Sequence, residues 1–259
     1  MDFQNVIYHK ESGAAIVQLN RPEVLNAINE AVLQELEVVL DDVAADNTVK
    51  VLVVKGNDNA FAAGADIKNF VTYSPRDAHQ YIYRVQVTMN KLLALGKPTI
   101  ASIAGYALGG GCEMALACDL RIAAHTAHFG LPEINLGIVP GGGGTQRLTR
   151  LIGEGKAKEL IFLGEVFDAQ TAYELGLVNF LVPLSDLDDE TAKLAKKLCK
   201  KPPVAVRTAK ELIHLSYDVD IYTGLMMEKE KFAYLFSTDD QKEGMTAFLE
   251  GRKASFNGR

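Results

Sequence analysis

Along the first half of the chain, short apolar runs alternate with longer stretches whose apolar residues recur every three or four positions. The run Ala14-Ala15-Ile16-Val17-Gln18-Leu19 is closed by Asn20-Arg21-Pro22, where proline withholds the donor that a ladder needs, and it predicts a buried strand. From Asn29 onward Leu33, Leu36, Val39, Leu40 and Val43 fall on one helical face, and residues 41–47 supply a polar exit. Val51-Leu52-Val53-Val54 is short, continuous and β-branched, which predicts a strand buried on both faces. The alternation continues with helical spacing over 81–95, a strand over 98–104, a short helix over 112–117 and short strands at 119–123 and 127–129. This order predicts an α/β core. The glycine-dense loop Pro140-Gly141-Gly142-Gly143-Gly144 then precedes helices expected to resume at Gly155.

The pattern changes at Lys200-Lys201-Pro202-Pro203, a charged, proline-stiffened joint beyond which no strand-like run occurs. We place a boundary there, giving an α/β core with the active site over 1–200 and a helical region over 201–259. Its aromatic stripe, Phe232, Tyr234, Phe236 and Phe248, reads as helix packing, with subunit contact as the sharper alternative.

Composition narrows the function classes. The 259 residues carry 27 Lys+Arg against 33 Asp+Glu, a net charge of -6 that disfavours a general binder of nucleic-acid backbones. The odd cysteine count, Cys112, Cys118 and Cys199, lacks CxxC pairing, and the first residues show no secretory or transit character, so a reducing, cytoplasmic setting is expected. No uncharged apolar run reaches the ~20 residues that span a bilayer, so no membrane partner is expected.

Candidate chemistry begins at two glutamates. Glu113 ends Ala107-Leu108-Gly109-Gly110-Gly111-Cys112-Glu113, and Glu133 ends Phe129-Gly130-Leu131-Pro132-Glu133. Backbone amides at the triple glycine, together with the helix start that follows, can face one point without Cβ obstruction. The small residues of Phe61-Ala62-Ala63-Gly64-Ala65-Asp66-Ile67-Lys68, after another buried strand, offer a second such approach. Two converging amides suit the oxygen of a thioester, and losing one such donor typically costs ~10²–10³ in rate. Two carboxylates in a partly apolar cleft repel each other and favour a singly protonated pair, so one can take a proton from water while the other donates to carbon.

Other chemistries find less support. His9, His79, His125, His128 and His214 show no metal-ligand spacing, and His125 and His128 read as structural. Residues Gly141 to Gly144 could be taken for a phosphate loop, but Thr145-Gln146-Arg147 follows in place of Gly-Lys-Ser/Thr. No dinucleotide fingerprint occurs. Ser102 and Cys112 lack a nucleophile-elbow context and read as core.

Taken in order, Arg21-Pro22, Asn26-Ala27, Ala62 to Lys68, Gly105 to Glu113, Pro132-Glu133, Gly137, Pro140-Gly141, Gly143 to Leu148 and Gly176-Leu177-Val178 resemble the crotonase, or enoyl-CoA hydratase/isomerase, family over nearly the whole chain. The resemblance implies an α/β spiral of repeated ββα units with a C-terminal helical trimerisation region, assembled as a homohexamer, a dimer of trimers. It implies an oxyanion hole from the amides of Ala65 and Gly110, with Glu133 protonating the α-carbon and Glu113 holding and activating water. Contacts to the coenzyme A thioester are implied for Ala63, Ala65, Asp66, Ile67, Lys68, Gly110 and Phe232. The implied activity is reversible syn-hydration of a trans-2-enoyl-CoA to a 3-hydroxyacyl-CoA without metal or redox cofactor. A double-bond isomerase of the same family, which can work with a glutamate at position 133 alone, is the nearer alternative; a non-catalytic CoA- or RNA-binding member is the more distant one.

Two positions depart from the family pattern. Gly251 stands where a lysine often reaches a neighbouring subunit's CoA, leaving Arg252 or Lys253 as substitutes, and Gly142 stands where a bulkier residue is common, implying a roomier or more flexible loop.

Overall fold

Four times in succession the chain lays down two strands and a helix, and the computed structural model describes this for residues 3–259, Asn69 by its backbone alone. The first unit is β1 (Val6–Glu11), β2 (Ala14–Leu19) and α1 (Glu30–Ala45). Then come β3 (Val51–Lys55), β4 (Ala60–Ala62) and α2 (Pro75–Leu93), followed by β5 (Thr99–Ile103), β6 (Tyr106–Leu108) and α3 (Gly110–Ala117). The fourth unit is β7 (Leu120–Ala124), β8 (His128–Gly130) and α4 (Gly144–Ile152). After these run α5 (Glu154–Leu163), β9 (Phe167–Asp168), α6 (Ala169–Glu174), β10 (Phe180–Val182), α7 (Leu187–Cys199), α8 (Pro203–Leu215), α9 (Ile221–Leu235) and α10 (Asp239–Leu249).

From the second unit onward each adds its first strand to a six-stranded sheet, β1-β2-β3-β5-β7-β10, and its second to a four-stranded sheet, β4-β6-β8-β9. This advance is the expected spiral of ββα units. Strand β3 shows why its run is continuously apolar: Leu52 and Val54 face the main core, whereas Val51 and Val53 face a second cluster closed by Leu187 and Ala195 of α7. Both faces of that sheet are covered, so alternation with polar residues is absent.

Helix α1 forms as its spacing predicts. The Asn29 side chain caps it by accepting from the Val32 amide, and its buried face is Val32, Leu33, Leu36, Val39, Leu40 and Val43. Helix α2 begins at Pro75, six residues before the expected start, because Ser74 and Asp77 form a reciprocal capping box around a proline in the first turn. The first two turns are exposed, so the apolar period says nothing about them. Helix α4 corrects the expectation that helices resume at Gly155: it starts on Gly144, where glycine reads as loop, and its only buried residues are Gly144 and Leu148.

The C-terminal aromatic stripe is also corrected. Phe232, Tyr234, Phe236 and Phe248 are all exposed, and α9 buries none of its side chains, so packing within the chain does not account for the stripe. Among the described residues, no helix is long and apolar enough to cross a membrane.

Candidate active site

Strands β4, β6 and β8 run parallel and adjacent, so their C-terminal exits lie side by side, the position at which α/β sheets present ligand-binding loops. Residues 63–66 leave β4, Gly109-Gly110 leave β6 and residues 131–133 leave β8. Segments that are far apart in sequence become the walls of one site.

The β4 exit is fixed by the loop ahead of α1. Asn26, 1% exposed, accepts from the Arg21 amide and donates to the Ala60 carbonyl, while the Arg21 guanidinium reaches Ala27 and Asp66. The Ile28 amide donates to the Gly64 carbonyl and the Asp66 amide donates to the Ile28 carbonyl. In such a parallel bridge the N–H of the intervening residue, Ala65, points to the opposite side. There it meets the start of α3: a Cβ built on Gly110 would lie 3.8 Å from the Ala65 nitrogen. The Gly110 amide is the first of its helix and has no intrahelical acceptor. These two amides can receive one oxyanion, with the positive end of the helix behind them.

Glu113 lies one turn into α3 and is only 3% exposed. Its carboxylate accepts from the Gly144 amide at 2.8 Å, and the neighbouring amides of Gly142 and Gly143 favour its charged form. Burial raises its pKa, opposed by these amides and by the charge of Arg147. The loop at Gly142 is not roomier, contrary to expectation, because a Cβ there would lie 2.6 Å from Glu113 Oε2: the space a side chain would take is filled by the carboxylate.

Glu133, in a 3-10 helix over Pro132–Leu136, has the opposite surroundings. A Cβ on Gly109, which has φ +49°, would come within 2.9 Å of its Oε1. Its Oε2 is buried and, among the described residues, has no hydrogen-bond partner. Burial first, and then the nearby Glu113 charge, pushes its pKa up to about 7. One carboxyl is held in a cradle of amides and the other is left able to carry a proton near neutrality.

Both glutamates, Ala63, Ala65, Ile67 and Gly110 line a cleft of about 1040 Å³. Its far wall is apolar and aromatic: Phe70, Tyr73, Tyr81, Ile82, Val85 and Val139, with Phe70 and Tyr81 rings 5.1 Å apart. Asp66 instead pairs with Arg21, and Lys68 is exposed outside the cleft lining. Phe232, 64% exposed on α9, is not brought to the cleft by this chain. Arg252 does not stand free as a phosphate ligand, because Glu243 binds it bidentately and Glu250 adds a third contact. His125 and His128 are exposed and are not core residues. Cys112 and Cys118 are buried thiols pushed up to about 12 by that burial, while Ser102 is buried against Thr191, as the sequence implied for Ser102 and Cys112. Among the described residues, no cluster of three or more His, Cys, Asp or Glu could hold a metal ion.

The Gly142–Gly144 amide cradle and Arg147 behind it were not expected as site residues. The usable signal is four glycines followed closely by a basic residue, a stretch whose residues match the family pattern without indicating which of them face Glu113.

Residues 9–259 match the enoyl-CoA hydratase/isomerase family model. The chain is 43% identical over 257 residues to a crotonyl-CoA hydratase of Syntrophomonas wolfei subsp. wolfei, covering 99% of each. It is also 43% identical to a short-chain-enoyl-CoA hydratase of Clostridium acetobutylicum, covering 98% of this chain and 97% of that one. A crystal structure of enoyl-CoA hydratase from Bacillus anthracis superposes with a TM-score of 0.95 at 41% identity, over 99% of this chain and 100% of the other. The chain therefore belongs to the enoyl-CoA hydratase/isomerase family, the crotonases.

Proposed function

We propose that this protein adds water reversibly across the 2,3 double bond of a trans-2-enoyl-CoA, giving a 3-hydroxyacyl-CoA. The observation that carries this reading is the opposed environment of two carboxyls in one cleft: Glu113 cradled by amides, Glu133 with its Oε2 buried and, among the described residues, unpartnered, both beside the Ala65 and Gly110 amides. The thioester oxygen accepts from those two N–H groups. Glu113 takes a proton from water as its oxygen bonds to C3, and Glu133 delivers a proton to C2. Both come from the same side, so the addition is syn. The two carboxyls and the water titrate as one unit, and the reverse reaction exchanges their roles. Each acid–base partner is worth ~10²–10⁴ in rate and each amide ~10²–10³, so the scheme calls on no metal or redox group.

The reading includes self-association into a homohexamer, a dimer of trimers, supported by the exposed apolar side chains of α9, among them Ile221, Tyr222, Leu225 and Met226. It also includes a cytoplasmic setting, supported by three cysteines that are all free thiols. The deciding experiment is steady-state turnover of crotonyl-CoA. Loss of the conjugated enoyl absorbance, with formation of 3-hydroxybutyryl-CoA, is expected. Activity confined to gain of conjugation from a 3-enoyl-CoA would replace the proposal with isomerisation, and salt-dependent RNA retention without turnover would replace it with a binding role. Light scattering reads the subunit number.

A further inference from the structure

Arg147 is half-buried on α4, and its guanidinium pKa is lowered by that burial. Among the described residues it has no carboxylate within salt-bridge distance. It does not line the substrate cleft; it faces a second cavity of about 750 Å³ on the other side of the glycine loop. A desolvated cation without an ion pair is costly, so its contacts call for an explanation.

Those contacts are one peptide carbonyl of the glycine loop and one side-chain amide on α2. Nη1 donates to the Gly142 carbonyl at 2.6 Å, and Nη2 donates to Asn90 Oδ1 on α2 at 2.8 Å. The Gly142 carbonyl and the Gly143 N–H belong to the same peptide, and that N–H is one of the three amides that favour the charged form of Glu113, next to the Gly144 amide that donates to it at 2.8 Å. A cation on the carbonyl oxygen polarises the peptide and strengthens its N–H as a donor on the opposite side. Position 143 must lack a side chain for this to happen, since a Cβ there would lie 1.9 Å from Nη1. Asn90 ties the same guanidinium to the helix that forms the far wall of the cleft.

We infer that Arg147 is a positioning residue for hydration: acting through the Gly142–Gly143 peptide, it braces the amide cradle and makes Glu113, not Glu133, the ionised carboxyl of the pair. This rests on the hydratase reading. The charged and titratable groups facing Glu113 are Arg147 from α4, Glu133 from the 3-10 helix after β8, Tyr81 from α2 and the neighbouring Cys112 on α3. Of these, Arg147 is the one cation.

The test is the pH profile of kcat/KM for crotonyl-CoA, whose acid limb reports the free enzyme's base. Arg147→Met removes the charge and the brace. It is expected to lower kcat about tenfold or more and to move the acid limb up by about one unit, the equivalent of a tenfold change in ionisation, with KM within about threefold. Arg147→Lys keeps the charge without the two-pronged grip and is expected to restore the limb more fully than kcat. Asn90→Asp, at an exposed position, keeps the brace and neutralises the charge. It is expected to move the acid limb up without loss of thermal stability, and it decides the matter if Arg147→Met does not fold. An active parent enzyme whose limb is unmoved in Asn90→Asp and in any folded Arg147→Met, or whose losses are confined to KM and melting temperature, overturns the role of Arg147 alone. A parent enzyme that does not hydrate crotonyl-CoA overturns this role and the hydratase reading together.

Discussion

Replacing Glu133 with glutamine should damage turnover and improve stability, and only at high pH. Its carboxyl is pushed up to about 7 in the folded protein from an ordinary 4.5, because burial disfavours the charged form and the Glu113 charge lies nearby. The folded state therefore holds a proton that the unfolded chain releases. The contribution of Glu133 to wild-type stability is full below pH 4.5 and is lost as pH rises to about 7. At 1.36 kcal/mol per unit, a rise of about 2.5 units sets a ceiling of about 3 kcal/mol. Glu133 keeps partial access to the cleft, and screening by that water reduces the expected penalty to about 1–2 kcal/mol. In Glu133→Gln the penalty is absent at every pH. The cost of burying an amide without an acceptor does not vary with pH, so it cancels when the variant's advantage at pH 8 is compared with that at pH 5. The difference should be a melting-temperature gain of roughly 2–6 °C, on the scale of 2–4 °C per kcal/mol for a chain of this size. Thermal melts of both proteins across this range provide the measurement, alongside crotonyl-CoA turnover, which should fall by ~10²–10⁴. Parallel pH dependences of stability in the two proteins would refute the buried, strained acid. Near-normal turnover would refute its role as proton donor.

Further expectations address other parts of the site. Glu113→Gln keeps the shape of the cradled group but not its basicity, and should lower hydration by ~10²–10⁴ while binding of a CoA ligand, measured by calorimetry, changes little. Asn26→Ala removes the link between Arg21 and the Ala60 carbonyl, leaving buried partners unmet. It should cost about 1–3 kcal/mol in urea denaturation and lower kcat, because Ala65 is positioned through that loop. Arg121→Leu deletes a side chain, 5% exposed, that donates to the carbonyls of Leu177, Cys118 and Ala115. It should destabilise by about 2–4 kcal/mol while any folded protein keeps its KM, and an unchanged denaturation midpoint would contradict that accounting.

How much of this was legible in advance follows from where each signal resides. Helix α1 was readable because cap, period and polar exit lie in a single stretch. The start of α2 was also written locally, in Ser74, Pro75 and Asp77, but as capping chemistry and not as apolar spacing. Strands β4, β6 and β8 are three residues each, too short for a period to show; β8 was readable as the short strand expected at 127–129, whereas β4 and β6 emerge only because the three pair with one another. The two glutamates were legible as candidates from glycine and proline context, and the family resemblance supplied their roles.

By itself, then, the sequence determined the α/β order, the helical region over 201–259 and the residue types available for chemistry, because propensity, periodicity and capping act over a few neighbouring positions. Tertiary structure alone decided that three parallel strand ends meet, so that the Ala65 amide lies against the start of α3 at Gly110. It also decided the difference between the glutamates. Glu113 is cradled by a loop 31 positions away, whereas Glu133 has one buried oxygen that is unpartnered among the described residues. Desolvation and hydrogen bonding depend on what packs around a group, and no local stretch of chain encodes that.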